Sequence, residues 1–420
     1  MSKKKKLFLS VISVALAFFI FACGFFVAKR AYTDKELRRV KFILDTYHKY
    51  YYDESDDYLS DMTKGLMDKN CDFFTKKEYE EYSSSTSGSR KNAGFAINRE
   101  TLEVVRIAYN SPADRAGMTT GGKIVKVNGQ SVSNSQELNE KCVEGENVYT
   151  VLYDRGERDF TVTSSDYTET FVRFCDGENE YSFKGEKNIE LCSSSENLPS
   201  IPDGYSYLVY RSFVGFDINS TGWKSDFSSS VGQFVKALEL FKSGTNRKII
   251  IDLRDNGGGY VEAMRYLVSF FIGEEDGQKL VVQKNCYKNK TERLLSYPAK
   301  SQEYNFEKIV ILANSSSASA SEAFIGALLD YDASDKVSVI VEKNYSRGDY
   351  STYGKGTMQS TYSSSSGDVV KLTVAQVRFP LSETCIDSVG ITTAVSSKVI
   401  EAKTAENQPI DAFLYAKNNF

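Results

Sequence analysis

Residues 307–329 read EKIVILANSSSASASEAFIGALL and combine three local signals in one short stretch. The five consecutive apolar residues 309–313 predict a buried strand, and the serine and alanine run after them predicts a turn. From Glu322 onward, apolar residues recur at helical spacing. The stretch therefore predicts a strand, a turn and a helix in that order.

The same order occurs on the N-terminal side of this stretch. Residues 247–268, RKIIIDLRDNGGGYVEAMRYLV, predict a strand, a glycine turn and a helix, and residues 205–244 predict a strand followed by a helix. Strands that alternate with helices imply crossover connections and hence a largely parallel sheet covered by helices. We therefore predict an α/β domain over residues 204–400, followed by a C-terminal tail over 401–420.

Both turns follow an apolar strand and open a helix, and such loops gather at the carboxyl edge of a parallel sheet. Glycines of the turn 256–259 allow backbone N–H groups to approach a ligand, because glycine has no Cβ and tolerates positive φ. The serine turn leaves N–H groups free at a helix N-terminus. Two such loops side by side predict an oxyanion hole for acyl transfer, with a serine as nucleophile. The competing interpretation is that the serines only cap the helix.

A nucleophilic serine needs a base, and the chain has one histidine, His48, in a predicted helical segment far upstream. A Ser-His-Asp triad is therefore not favoured, and zinc hydrolysis of the two-histidine kind is excluded by count. Lys355, in YGKGTMQ (residues 353–359), is the alternative, because burial lowers the pKa of a lysine and Ser-Lys dyads are a known variant. Gln359 would share a face with Lys355 in a strand and could orient its amine. The competing interpretation is an exposed lysine in a glycine loop.

Composition excludes several classes of protein. A net charge of −4 gives no reason to expect nucleic acid as a partner. Seven cysteines form no C-x-x-C pair, so we expect no metal site and no cofactor. Cys175 and Cys192 flank a predicted strand pair, which leaves a disulfide open, but the stronger interpretation is that most cysteines are small buried thiols.

The N-terminus predicts a membrane anchor. Four lysines at positions 3–6 precede an uncharged run of 22 residues, 7–28, which is long enough to cross a bilayer as a helix. The positive-inside rule places the basic tip, residues 1–6, in the cytoplasm and the rest of the chain outside it. We favour an uncleaved transmembrane signal anchor, followed by a helical segment and linker over 29–85. The alternative is a lipoprotein signal in which Cys23 is lipidated.

Short alternating apolar runs predict a β-rich domain over residues 86–165. Within it, SPADRAGM (111–118) and IVKVNG (124–129) resemble the core of a PDZ domain. That resemblance implies a groove that binds the C-terminal end of a peptide by β-augmentation, with backbone N–H groups of Gly94, Phe95 and Ala96 at the carboxylate. The alternative is a packing domain without a ligand. Residues 166–203 are predicted to be connecting strands.

Three ordered motifs, DLRDNGGG (252–259), SASASE (317–322) and GKGTMQ (354–359), follow the PDZ-like segment and resemble the C-terminal processing peptidases, also called tail-specific proteases. The resemblance implies Ser319 as nucleophile, Lys355 as general base and Gln359 as its orienting partner. It also implies an oxyanion hole formed by Ala320 together with Gly258 or Gly259. Glu322 is then a residue of the first turn of the helix.

Two features depart from the family pattern. The interval from Ser319 to Lys355 is 36 residues, longer than the usual spacing, and Thr393-Ala394 stand where the family has proline and aspartate. Two hypotheses follow. The first is a serine endopeptidase, anchored in a bacterial cell membrane with its body outside the cytoplasm, that cuts proteins near their C-termini. The second is an inactive anchored PDZ receptor for peptides. The sequence leaves open whether the chain forms a homo-oligomer.

Overall fold

The computed structural model describes most of the chain downstream of residue 34. The described residues are 19, 23, 35–51, 65, 68, 70–86 and 89–420, without 99–100, 120, 154–155, 185–189, 196–197, 215–225, 273–278, 286–291, 297–303, 305 and 333. The basic tip and the predicted signal anchor therefore lie outside the described residues, apart from Phe19 and Cys23. In the part of the chain that is described, no helix has the length and apolar character needed to span a bilayer.

The N-terminal part contains helix α1 (Lys35–Tyr50), strand β1 (Asp72–Phe74) and helix α2 (Lys76–Thr86). His48 is half-buried in α1, and its ring packs edge-on against Tyr47 with 5.5 Å between the ring centroids. Tyr47 is buried. The histidine therefore takes part in the aromatic packing of this helix.

A β-rich segment with its own apolar core follows. Its elements are β2 (Ser89–Asn92), β3 (Phe95–Ile97), β4 (Val104–Ile107), α3 (Pro112–Arg115), β5 (Lys123–Val127), β6 (Gln130–Ser131), α4 (Ser135–Lys141), β7 (Glu146–Tyr153), β8 (Gly156–Thr163) and β9 (Ser165–Thr168). Among the described residues, β6-β5-β7-β8 form one antiparallel sheet, whereas β2 pairs with β9 and β3 with β4. Leu102, Ile124, Leu138 and Val151 are among the buried residues that hold these strands together.

The remaining elements alternate strands and helices. They are β10 (Val172–Cys175), β11 (Glu180–Lys184), β12 (Glu190–Ser194), β13 (Tyr205–Tyr210), α5 (Ser230–Ser243), β14 (Lys248–Asp252), α6 (Val261–Val268), β15 (Lys279–Asn285), β16 (Glu292–Ser296), β17 (Lys308–Ala313), α7 (Ala320–Tyr331), β18 (Val337–Val341), β19 (Lys343–Asn344), β20 (Asp349–Tyr350), β21 (Thr357–Ser363), β22 (Val369–Arg378), β23 (Val399–Glu401) and α8 (Ala412–Asn419).

The central sheet runs, over the described strands, in the order β12-β11-β10-β13-β14-β17-β18-β23. Neighbours from β13 to β23 are parallel, because each crossover between them returns the chain to the same edge. The α/β character predicted for this part of the chain is confirmed. The sheet is nevertheless mixed, since β10, β11 and β12 continue it in antiparallel pairing.

Alternate residues of the central strands face opposite sides of the sheet. Ile249 and Ile251 pack into the larger core with residues of α5, α6 and α7, whereas Ile250 and Leu312 face α8. All four side chains are fully buried. Burial on both faces explains why these strands read as continuous apolar runs rather than as an alternating pattern.

Cys175 and Cys192 are free thiols. Cys175 pairs with Glu180 across the β10–β11 ladder, and Cys192 pairs with Ser182 across the β11–β12 ladder. Strand β11 therefore lies between the two cysteines. Two strand spacings of about 4.8 Å exceed the reach of a disulfide, which needs Cα atoms within about 7 Å. The disulfide that the sequence leaves open is absent from this arrangement.

The chain divides into two compact units, of which the smaller comprises Met1–Lys76, Cys286–Asn289 and Gln359–Val374. Within the smaller unit, β1 pairs antiparallel with β22, and Tyr50 stacks on Tyr362 with 4.2 Å between ring centroids. The larger unit contains the β-rich segment, the central sheet, the glycine turn and the serine turn.

Candidate active site

The glycine turn (residues 253–259) and the serine turn (residues 314–319) lie side by side beyond the carboxyl ends of β14 and β17. These strands are parallel neighbours, with Asp252 opposite Leu312. The amide of Ala318 donates to the carbonyl of Asn256 at 3.1 Å, and Ser321 Oγ donates to the same carbonyl at 2.8 Å. The structure thus brings together the two turns that sequence analysis singled out.

Buried Asn256 shapes the glycine turn from inside. Its Nδ2 donates to the carbonyl of Tyr210 at 2.9 Å, and its Oδ1 accepts from the amide of Gly258 at 2.9 Å. Gly258 has φ +96°, and a Cβ at this position would lie 2.6 Å from the oxygen of Ala318 and 2.8 Å from the nitrogen of Ala320. Only glycine allows the turns to approach this closely.

The backbone amides of Gly259 and Ala320 are the candidate oxyanion donors that this geometry favours. The amide of Gly258, the other predicted donor, already donates to Asn256. Gly259 adopts φ +142°, where a side chain would collide with the carbonyl of Phe213. Ala320 is the first residue of α7, so its N–H belongs to the turn of a helix whose amides have no partner within the helix.

Ser319 has a strained backbone at the junction of the serine turn and α7. Its φ is +56° and its ψ is −114°, a combination that residues with a Cβ rarely adopt and that costs about 1–3 kcal/mol. The side chain is half-buried. The carbonyl of Ser319 accepts from the amide of Ala323 at 2.9 Å, which fixes the residue at the start of the helix. Such strain is typical of residues whose direction matters for function.

Lys355 lies on a loop that is pinned on both sides. The amide of Tyr353 donates to the carbonyl of Ser317 at 3.0 Å, which joins this loop to the serine turn. The carbonyl of Gly354 accepts from the amide of Ser388 at 2.8 Å, and Gly354 has φ +83°. Lys355 itself is half-buried. The lysine loop (residues 351–356) therefore has a defined path against the serine turn.

Glu322 connects the serine turn to the lysine loop. Its Oε2 accepts from the amides of Ser319 and Lys355, each at 2.9 Å, so the two nitrogens are no more than twice 2.9 Å, or 5.8 Å, apart. Its Oε1 accepts from the amide of Gly354 at 2.8 Å and from Thr352 Oγ1 at 2.5 Å. Glu322 is fully buried. Burial raises the pKa of its carboxyl, while the four hydrogen bonds oppose that rise.

Sequence analysis assigned Glu322 only to the first turn of a helix. Two signals could have revealed more: the Ser-x-x-Glu spacing of a capping box, and a single charge in an otherwise small and apolar helix start. The donors from Gly354 and Lys355 lie 32 and 33 residues further along the chain, so no local pattern could have shown them.

A buried charge network that sequence analysis did not identify fixes the end of β14. Arg254 donates to both oxygens of Asp252, at 2.9 and 2.7 Å, and to Glu342 and Asp411 at 2.9 and 2.5 Å. The hydroxyl of Tyr207 donates to Asp252 at 2.6 Å. Burial would raise the pKa of Asp252, but the hydrogen bonds and the charge of Arg254 outweigh it and hold the pKa below its ordinary value. The glycine turn therefore starts from a fixed strand end.

The β-rich segment contacts the residues before the glycine turn through Tyr109. Its ring lies between the guanidinium groups of Arg173 and Arg211, at 5.5 and 5.6 Å from the ring centroid. Arg211 donates to the hydroxyl of Tyr109 at 3.1 Å and, through its other terminal nitrogen, to the carbonyl of Arg254 at 2.6 Å. One arginine thus contacts both parts of the larger unit.

Residues 343–350, within the Ser319–Lys355 interval, contain the β19–β20 hairpin. Asn344 Nδ2 donates to Ser351 Oγ at 3.2 Å across its base, and Arg347 donates to the carbonyl of Val389 at 2.7 Å. At the tip, Tyr345 is 80% exposed. These residues therefore form a tethered hairpin that precedes the lysine loop.

Gln359 follows the lysine loop on β21, and the predicted peptide-binding residues belong to the β-rich segment. Gln359 is on β21 and donates to Thr373 Oγ1 at 3.0 Å within the smaller unit, so its orienting role toward Lys355 stays a prediction. Gly94 has φ +84° and donates to Asn92 Oδ1 at 2.8 Å, just before β3. In the described part of the chain β3 pairs with β4 alone. The role of Gly94, Phe95 and Ala96 in binding a peptide also stays a prediction.

This arrangement can support acyl transfer without a metal ion. It combines a strained serine, a lysine whose backbone shares the Glu322 carboxylate with that serine, the N–H group of Ala320 next to the serine, and a glycine turn packed against them. Within the described residues, no group of three or more His, Cys, Asp or Glu side chains could hold a metal. The chemistry that the geometry allows is nucleophilic attack with general-base help.

Comparisons with known proteins found a family match and similar proteins. Residues 206–397 match the model described as Peptidase family S41. A probable CtpA-like serine protease of Staphylococcus saprophyticus is 27% identical over 351 residues, which are 80% of this chain and 61% of that protein. One of Staphylococcus epidermidis is 28% identical, over 80% of this chain and 60% of the relative. The chain thus spans about three fifths of the length of these relatives. A solved putative S41 protease from Bacteroides fragilis is 15% identical, covers 83% of this chain and 87% of its own, and has a TM-score of 0.51, which shows a shared fold.

Proposed function

We propose that the protein is a serine endopeptidase that cleaves protein substrates near their C-termini, and the match of residues 206–397 to the Peptidase family S41 model supports this proposal. In this proposal Ser319 is the nucleophile and Lys355 is the general base. The amides of Ala320 and Gly259 bind the oxyanion, and Gln359 orients the lysine amine. The relatives in this family are described as serine proteases, which supports the class of reaction.

One observation carries the proposal for the dyad. A single oxygen of Glu322 accepts from the backbone nitrogens of both Ser319 and Lys355. Two residues whose nitrogens are within 5.8 Å can bring a serine hydroxyl and a long lysine side chain into hydrogen-bond range, which is the first requirement for a nucleophile and its base.

The proposed reaction has two steps, acylation of Ser319 and hydrolysis of the acyl-enzyme. Ser319 Oγ attacks the carbonyl carbon of the scissile peptide while its proton passes to the neutral Lys355 amine. The tetrahedral oxyanion is stabilised by the two amides, and it collapses as the C–N bond breaks and Lys355 returns the proton to the leaving amine. Water then attacks the acyl-enzyme ester with Lys355 as base, and the carboxylic acid product and the Ser319 hydroxyl are released.

We further propose that the β-rich segment binds the tail of the substrate. An extended tail would add to the open edge of β3, with its carboxylate at the amides of Phe95 and Ala96 and beside that of Gly94, which already donates to Asn92 Oδ1 at 2.8 Å. The positive φ of Gly94 supports this assignment, because such a turn directs successive amides toward one point. Binding a remote tail helps to orient the scissile bond.

The proposal also includes an anchor. Four lysines followed by the apolar run 7–28 favour a signal anchor that leaves the catalytic body outside the cytoplasm of a bacterial cell. Full-length protein should therefore be recovered with membranes and be digested by protease added to spheroplasts. Protection from that protease in intact spheroplasts would contradict the orientation.

The function is tested with an unstructured substrate that ends in apolar residues, beside the same substrate with an amidated C-terminus. Ser319→Ala and Lys355→Met should each lower kcat by about 1,000-fold or more, as removal of a nucleophile or base does. Ser316→Ala is the matched control, because this exposed serine lies three residues from the proposed nucleophile. Cleavage by both variants at the wild-type rate would refute the dyad. Tail binding without cleavage would favour the inactive receptor instead.

A further inference from the structure

We propose that Glu322 is a positioning residue that holds the serine turn and the lysine loop at a fixed separation. The inference rests on the proposed function, in which Ser319 and Lys355 act together. Glu322 is fully buried and contacts the backbone of both loops, so it acts through them rather than on the substrate.

The hydrogen bonds of Glu322 leave its carboxylate no spare acceptor site. A carboxylate has about four such sites, and four donors occupy them here. One donor belongs to the serine turn, at Ser319, and three belong to the lysine loop, at Thr352, Gly354 and Lys355. The two loops therefore cannot separate without breaking charge-assisted hydrogen bonds, which are the stronger kind.

Chain connectivity alone does not set this separation. The donors on the lysine loop are 30 to 33 residues from Glu322, and the β19–β20 hairpin lies between them and α7. Thr352 is fully buried and its Oγ1 also accepts from the amide of Ile391 at 2.7 Å. Glu322 and Ile391 together fix the point at which the chain leaves the hairpin and enters the lysine loop.

The geometry requires both the charge and the length of glutamate. Glutamine offers one acceptor oxygen. Its NH₂ group would face either the amides of Ser319 and Lys355 or the amide of Gly354 and the Thr352 hydroxyl, which can also accept, so glutamine loses at least one of the four bonds. Aspartate keeps the charge but is one methylene shorter. Burial raises the pKa of Glu322 and the four hydrogen bonds act against that rise, so removing the charge also removes a desolvation cost, and Glu322→Gln is expected to fold.

The first measurement is steady-state kinetics on the full chain. Glu322→Gln and Glu322→Asp should each lower kcat about 100-fold, the effect expected of a displacement near 1 Å in a catalytic pair, with KM within about twofold of wild type. Glu262→Gln is the matched control, since Glu262 is an exposed first-turn glutamate of α6 that pairs with Arg265. Wild-type kcat in Glu322→Gln, or its full recovery in Glu322→Asp, would overturn the proposal.

The second measurement does not depend on catalysis. Hydrogen exchange followed by mass spectrometry should show residues 352–356 exchanging about tenfold faster or more in Glu322→Gln, with residues 308–313 unchanged. Equal exchange of residues 352–356 in wild type and in Glu322→Gln would overturn the proposal that Glu322 holds the two loops together. If wild-type protein shows no cleavage that depends on Ser319, the proposed function fails. The exchange measurement still tests whether Glu322 holds the serine turn and the lysine loop together.

Discussion

Replacing Gly258 by alanine tests whether the two turns need their close approach. An added Cβ would lie 2.6 Å from the oxygen of Ala318, 2.8 Å from the nitrogen of Ala320 and 2.9 Å from Cβ of Ser319. Ordinary contact begins at 3.4 Å, so the turns would have to move apart by roughly 0.8 Å, because the packed interior offers no other space. That displacement acts at once on Ser319, the proposed nucleophile, and on Ala320, a proposed oxyanion donor.

The expected effect follows from this displacement. A shift near 1 Å in a catalytic constellation lowers kcat about 100-fold, and loss of an oxyanion donor has an effect of similar size. Alanine at φ +96° also adds about 1–2 kcal/mol of backbone strain, so the free energy of unfolding should fall by at least that amount. KM should change little, since the proposed binding site for the tail of the substrate lies in the β-rich segment.

Steady-state cleavage of the apolar-tailed substrate measures kcat and KM, and urea unfolding measures stability. The control is Gly257→Ala, because a Cβ at Gly257 meets no atom within 4 Å and its φ is not positive. A kcat for Gly258→Ala within about threefold of wild type would refute the reasoning, given the 100-fold loss expected. Equal losses of kcat in Gly258→Ala and Gly257→Ala would show that the turn tolerates no substitution, even where the added Cβ meets no other atom.

Three further predictions concern the framework. Asp252→Asn should lower the free energy of unfolding at pH 7 by about 3 kcal/mol, because Arg254 loses a buried partner. Since the folded-state pKa of Asp252 lies below its ordinary 3.8, this difference should be complete well above pH 3.8 and shrink as the pH falls through the lowered pKa, in urea titrations at a series of pH values. Cys175 and Cys192 should both react with iodoacetamide in protein unfolded without reductant. A peptide pair containing both cysteines with a mass two hydrogens below that of the reduced peptides would indicate a disulfide and contradict the strand order. Tyr109→Phe should cost about 1 kcal/mol in urea unfolding, because the ring stays stacked and only the hydrogen bond is lost; an unchanged midpoint would show that this bond does not stabilise the protein.

Local pattern was sufficient to predict the parallel part of the central sheet. The runs that became β14 and β17 are apolar throughout, because both faces of the sheet are covered, and each ends in a turn rich in glycine or serine. The meeting of the two turns follows from that topology, since adjacent parallel strands end at the same edge. What the pattern predicts here is one edge of one sheet and the residues that lie on it.

Contacts between segments that are distant along the chain could not be predicted from the sequence. The antiparallel strands β10, β11 and β12 extend the same sheet, yet the half-exposed residues of β11 and β12 carry no signal that distinguishes these strands from a separate connecting layer. The role of Glu322 was hidden for the same reason. Its local partner, the amide of Ser319, is three residues away, whereas the other donors come from a loop whose position depends on the folded protein.

The tethered β19–β20 hairpin has a practical consequence for engineering. Its base is tied by Asn344 and Ser351, and the chain that follows is held by Glu322. The exposed apex at Tyr345 is therefore a suitable graft point for an epitope or a fluorophore. A reporter placed there should leave the hydrogen bonds of the lysine loop intact, and cleavage by the labelled protein at the rate of the unlabelled protein would check this.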